Sequence, residues 1–117
     1  MSYVNAGQNP PILVKPSGRS SLSNSGLPVA ILPGVHARTP LECRLEAGDL
    51  LLMASDGVTE FNHEGVQYDE GRFQAFLDRA GNESAEATGQ ALLDDLAAWS
   101  EGKAADDDVT LLVVRRN

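Results

Sequence analysis

Asp56 follows the apolar run Leu50-Leu51-Leu52-Met53-Ala54 through Ser55 and is itself followed by Gly57, while Asp106-Asp107-Asp108 leads into the aliphatic run Val109 to Val114. If those runs pair as antiparallel strands, the end of the first and the start of the second share one sheet edge, and their carboxylates converge. Converging carboxylates with no basic partner raise one another's pKa, a cost that a hard divalent cation removes while accepting oxygen ligands. His36, His63 and Cys43 stand apart from one another. No zinc spacing is therefore present, and Mg²⁺ or Mn²⁺ suits the donors better. Gly57 permits the close backbone approach that a turn beside an ion often needs.

The same residues support a plainer reading. Ser-Asp-Gly is a common strand terminator, and an Asp triplet ahead of a strand can be a solvated loop that discourages edge pairing. On sequence physics alone both readings stay open. The chain's 9 Lys+Arg against 17 Asp+Glu give a formal charge of −8, a field that repels polyanions and argues against a nucleic-acid partner. Its 117 residues hold one compact domain or a piece of a larger one. No apolar stretch approaches the roughly 20 residues of a membrane span, and the single cysteine, Cys43, forms no internal disulfide. The expectation is a soluble, unexported, cytoplasmic chain with no membrane partner.

The elements that must position these residues follow from periodicity. Tyr3 to Gly7 reads as a short strand running into a turn, and Ile12-Leu13-Val14 as a strand entered through Asn9-Pro10-Pro11. Ser17 to Gly26 is serine-rich and aperiodic, which predicts a flexible loop. Leu41, Cys43 and Leu45 alternate with charged residues, as in a strand with one wet face. Leu50 to Ala54, apolar on both faces, predicts a central strand, and Val109 to Val114 a second buried strand. Phe73, Phe76, Leu77 and Ala80 form a helical stripe from Glu70 to a stop at Gly81. Ser84 can cap a second helix whose apolar face is Thr88, Ala91, Leu92, Leu96 and Trp99, ending at Gly102. The fold class is α+β, a mainly antiparallel β-sheet with two helices packed on one face.

Three segments together resemble the SpoIIE-like type 2C protein phosphatases of the PPM superfamily. They are, in order, Asn5-Ala6-Gly7-Gln8-Asn9-Pro10-Pro11, Gly48 to Glu60 with its Ser55-Asp56-Gly57-Val58-Thr59-Glu60 core, and Asp107-Asp108-Val109-Thr110 running on to Val114. The resemblance implies a metal-dependent phosphoserine/phosphothreonine phosphatase whose αββα sandwich holds two Mn²⁺ or Mg²⁺ ions at one edge. It implies that Asp56 and Asp107 are catalytic carboxylates holding metal, with Gly57 beside them and Asp108 as a neighbouring ligand. It gives no substrate-binding residues. The implied partner is a phosphorylated regulator of the anti-anti-sigma type in a bacterial signalling pathway.

Two departures accompany the likeness. Gln8 stands where the family usually has His, and Gln carries no proton near neutral pH. The family's first metal-bridging Asp, in an Asp-Gly motif, lies upstream of the Asn-Ala-Gly block, where this chain begins. Residues 1–117 therefore read as a partial phosphatase-like domain, the carboxy-terminal half, with an incomplete metal centre. Such a half exposes strand edges and an apolar sheet face, which predicts a homodimer through those surfaces. The alternative function is a non-catalytic phosphatase-like module that binds a phosphoprotein or regulator without chemistry.

Other reactive residue types have simpler readings. Tyr3, Phe61, Tyr68, Phe73, Phe76 and Trp99 fall on strands and helix stripes, as core residues do. Cys43 reads as a small core hydrophobe, and His36 and His63 as solvated loop residues. Lys15, Arg19, Arg115 and Arg116 read as surface charge.

Overall fold

The structure is a computed structural model that describes residues 1–28, 33–34, 38–80 and 82–117. The expected helix stop at Gly81 and the loop histidine His36 lie outside the described residues. Four strands make the main sheet: β2 (Ile12–Lys15), β3 (Gly18–Ser21), β5 (Leu50–Ala54) and β8 (Leu111–Arg115), in the order β3-β2-β5-β8. Every neighbouring pair is antiparallel. Short strands β1 (Ser2–Tyr3) and β4 (Leu41–Glu42) pair separately, as do β6 (Asn62–His63) and β7 (Val66–Gln67). The helices are α1 (Asp56–Thr59), α2 (Asp69–Arg79) and α3 (Ala85–Trp99). This is the expected α+β arrangement. No helix among the described residues is long and apolar enough to cross a membrane.

Strand β5 is central because its residues bury both faces. Leu52 packs with Ile12 and with Val58, Phe61, Tyr68, Phe73, Phe76, Leu77, Leu92 and Leu96 on the helical side. Leu51 packs with Leu13 and Leu22 on the other side, where Tyr3, Cys43, Leu45 and Met53 are partly buried. All of the aromatic set thus serves packing, with Tyr3 and Trp99 half-buried.

Side chains satisfy free amides at the starts of α2 and α3, and a glycine amide closes α3. Ser84 Oγ accepts from the Ala87 amide at 3.1 Å, capping α3 as its position predicts. At the start of α2, Asp69 sits at φ 57° and its carboxylate accepts from the Arg72 amide at 2.9 Å. After α3, Gly102 at φ 78° sends its amide to the Ala97 carbonyl at 2.9 Å, a left-handed close.

Two expectations are corrected. The segment 17–26 is not all loop, because Gly18–Ser21 forms β3 against β2, with Val14 opposite Arg19. All four of its residues are exposed, so no alternation of polarity marks it in sequence. Val109 to Val114 is not a buried strand: β8 begins at Leu111 and is an edge strand on which Leu112 (53% exposed) and Val114 (39%) face outward. Val109, Leu111 and Val113 alone of this run pack on the helical core.

Candidate functional site

β5 and β8 pair with Ala54 opposite Leu111, so Ser55 and Asp56 leave the sheet where Asp107 to Thr110 enters it. Contact between the two segments is dense. The Ser55 amide donates to the Thr110 carbonyl at 3.0 Å, and the Thr110 amide donates to Ser55 Oγ at 3.0 Å. Ser55 Oγ in turn donates to the Asp108 carbonyl at 3.0 Å. Gly57, buried in α1, lies so close to the Asp108 carbonyl that a Cβ on it would meet the oxygen at 2.2 Å.

Asp56, Asp107 and Asp108 are all exposed on this one rim. Asp107 turns an Oδ1 back to the Asp108 amide at 2.7 Å. Among the described residues no group of three or more His, Cys, Asp or Glu side chains is gathered as a metal ion would need. The donors present nonetheless fit a hard cation in kind: they are carboxylate oxygens, and Asp56, Asp107 and Asp108 are exposed. They are fewer than the six or more oxygens such ions take. They fit as one flank of a centre.

The Asn5-Ala6-Gly7-Gln8 turn stands near the same rim. Asn5 is buried; its Nδ2 donates to the Gln8 carbonyl at 3.0 Å and its Oδ1 accepts from the Gln8 amide at 2.9 Å. Gly7 adopts φ 93°, and a Cβ there would meet Pro28 at 2.3 Å. These bonds use the Gln8 backbone, and its side chain is exposed. Tyr3, Val4, Gln8, Met53, Ser55 and Leu112 line part of a cavity of about 480 Å³ on the open sheet face.

Basic residues collect at the opposite end of β5. Lys15, Arg19 and Arg115 line a cavity of about 300 Å³, with Arg44 and Arg116 around a neighbouring one. Lys15 Nζ binds the buried Asp49 carboxylate at 3.0 Å, and Arg19 pairs with Asp78. The Glu46 amide at 2.9 Å, and then Lys15, hold the Asp49 carboxyl below the usual carboxylate range. The Asp49 carboxylate likewise raises Lys15. Asp49 does not stand out in sequence, since Ala47-Gly48-Asp49 reads as an ordinary polar turn.

Two further groups depart from expectation or were hidden from it. His63 is not a solvated loop residue: it lies half-buried on β6, its ring 5.8 Å from Trp99 and edge-on, with Nδ1 buried and unpartnered. The Tyr68 hydroxyl donates to Asp95, whose other oxygen takes Arg79 at 2.9 Å. Burial, and then Asp95, push the Tyr68 phenol well above the usual tyrosine range.

The sequence model of the stage II sporulation protein E (SpoIIE) family matches residues 1–117. Among solved structures, the chain is similar to the PP2C phosphatase domain with a fragment of the regulatory domain of the cell fate determinant SpoIIE from Bacillus subtilis. The two share 24% identity at a TM-score of 0.75, over 97% of this chain and 34% of that one. The SiaA-PP2C domain of Pseudomonas aeruginosa is similar at 16% identity and TM-score 0.79, over 99% of this chain and 46% of that one. The Mn-presoaked phosphatase domain of Bacillus subtilis SpoIIE is similar at 19% identity and TM-score 0.69, over 100% of this chain and 55% of that one. No curated protein matches. The chain thus spans from about a third to just over half the length of these structures.

Proposed function

The chain belongs to the SpoIIE family, and from that premise we propose that it forms part of a metal-dependent phosphoserine/phosphothreonine protein phosphatase. The observation that carries this reading is the rim where Ser55 and Gly57 meet Asp108, since it brings the Asp56 segment and the Asp107-Asp108 segment to one edge. The Asp56, Asp107 and Asp108 carboxylates and the Gly57 main chain would hold Mn²⁺ or Mg²⁺. When bound, such an ion supplies Lewis-acid activation of water and neutralises phosphate charge. Asp56 opens α1 two residues after β5 and Asp107 lies in the segment that leads into β8, so the β5–β8 ladder delivers the two segments to one edge. Asp108, next to them and exposed, can accept a hydrogen bond from attacking water.

The substrate is a phosphorylated regulatory protein of the anti-anti-sigma type in the bacterial cytoplasm. The open face of β8, with Leu112 and Val114 outward, forms a homodimer contact. A second reading, a non-catalytic interaction module, is favoured by the absence of a gathered three-ligand group among the described residues.

Hydrolysis of a phosphoserine peptide with and without Mn²⁺ tests the first reading. Expected is Mn²⁺-dependent release of phosphate that falls at least about 100-fold in Asp56→Asn and Asp107→Asn, the scale of losing a catalytic electrostatic group. Activity that neither substitution lowers rules out these residues. No hydrolysis together with tight phosphoprotein binding favours the second reading.

A further inference from the structure

We infer that Ser55 is a positioning residue that fixes the distance between the Asp56 and Asp107-Asp108 segments; the inference rests on the metal-holding role proposed for that rim. Ser55 is the N-cap residue of α1, with the extended backbone (φ −72°, ψ 165°) usual there. A serine in that place ordinarily turns its hydroxyl onto an amide of its own helix. This one makes no such cap bond. Its hydroxyl reaches instead across to the other strand, donating to the Asp108 carbonyl and accepting from the Thr110 amide, each at 3.0 Å.

The hydroxyl's proton and one lone pair are thereby both engaged with the segment that carries Asp107 and Asp108. Those contacts lie beyond the last β5–β8 pair, Ala54 with Leu111, where the regular ladder has ended. The Ser55 amide, donating to the Thr110 carbonyl at 3.0 Å, and the Ser55 hydroxyl together continue strand pairing past the last ladder pair, the hydroxyl adding the bonds to Asp108 and to the Thr110 amide. Gly57 sets the closest approach from the other side, because its bare Cα faces the same Asp108 carbonyl. Ser55 pulls the two acidic segments together and Gly57 lets them meet.

Mn²⁺ titration of the full chain, read as free Mn²⁺ by electron paramagnetic resonance, tests this with native, Ser55→Ala, Ser55→Thr and Asp56→Asn chains. Removing one such hydrogen bond is expected to weaken Mn²⁺ binding roughly 10-fold in Ser55→Ala, and Ser55→Thr to return it to within about threefold of native. Native-like binding by Ser55→Ala overturns the inference. So does loss in Ser55→Thr equal to that in Ser55→Ala, since size and not the hydroxyl would then matter.

If the native chain binds Mn²⁺ no better than Asp56→Asn, the proposed metal reading fails by itself, and amide hydrogen exchange decides the role of Ser55. Faster exchange at Thr110 in Ser55→Ala, with α3 amides still protected, upholds it; unchanged Thr110 protection overturns it. Should Ser55→Ala not fold, Ser55→Thr and Ser55→Val, alike in shape and differing in the hydroxyl, carry the comparison. Equal behaviour of that pair overturns the inference.

Discussion

The Gly57 Cα and the Asp108 carbonyl oxygen are packed against each other with no room for a methyl group, a Cβ at position 57 meeting that oxygen at 2.2 Å. The obstacle is backbone, anchored by the Ser55 hydroxyl, so it cannot swing aside as a side-chain tip could. Gly57→Ala is therefore expected to lower stability by up to about 3 kcal/mol, the upper end of the usual cost of overpacking. The better helix propensity of Ala, worth about 1 kcal/mol, works the other way and loses. Urea denaturation measures the difference; a gain in stability would show that the two segments separate freely.

Asp49 gives a pH signature. Its carboxyl is held below the ordinary range by the Glu46 amide and Lys15, so its stabilising effect is complete above the unfolded-state value of 3.8 and is lost as pH falls through the lower folded-state value. Lys15, raised above 10.5, contributes below that pH and loses its effect as pH climbs through the folded-state value. Asp49→Asn is expected to flatten the fall of the urea midpoint below about pH 4. An acid limb as steep as that of the native chain would contradict the assignment.

Tyr68 is expected to resist ionisation. An absorbance titration should find one of the two tyrosines still protonated in the folded chain at about pH 11, beyond the usual value near 10. Stability held below the unfolded tyrosine pKa is then lost as pH rises past it. Tyr68→Phe removes the donor to Asp95 but leaves Arg79 as its partner, so the cost should be about 1 kcal/mol. A neutral substitution would mean that Asp95 is satisfied without it.

The outward face of β8 predicts the state of association. Leu112→Lys with Val114→Lys places charge on an exposed edge strand, a substitution that discourages pairing there. Sedimentation equilibrium is expected to show a dimer for the native chain and at least tenfold weaker association for the double variant. Equal association would remove β8 from the contact.

Much of the scaffold can be read in the sequence because its signals are local and doubled. Leu50 to Ala54 is apolar on both faces and bounded by polar turns, and α2 and α3 carry clear stripes, with Ser84 at a cap. The β5–β8 pairing follows once Asp56 and Asp107 are required to share an edge. β3 is invisible because an exposed edge strand of Gly18, Arg19, Ser20 and Ser21 has no polarity to alternate. The β6–β7 hairpin is made of two-residue strands, and its one clue is Glu64-Gly65, which take φ 52° and 81° at the turn. β8 misleads, because aliphatic residues on an open face look the same in sequence as buried ones. Ser55 is present in the motif, but the hydroxyl's choice between its own helix and the neighbouring strand is made by tertiary structure.

Lys15, Arg19, Arg44, Arg115 and Arg116 at one end of β5 are largely offset by Glu46, Asp49 and Asp78 beside them, whereas Asp56, Asp107 and Asp108 at the other end have no ion-pair partner among the described residues, so this acidic molecule carries its unbalanced negative charge toward that rim. Five strand residues extend about 17 Å, roughly twice the Debye length of about 8 Å at physiological ionic strength. In such a medium each end attracts its own counterions independently. In dilute buffer, where the Debye length reaches about 30 Å, the field of the acidic rim spans the whole strand and turns that rim toward arriving cations.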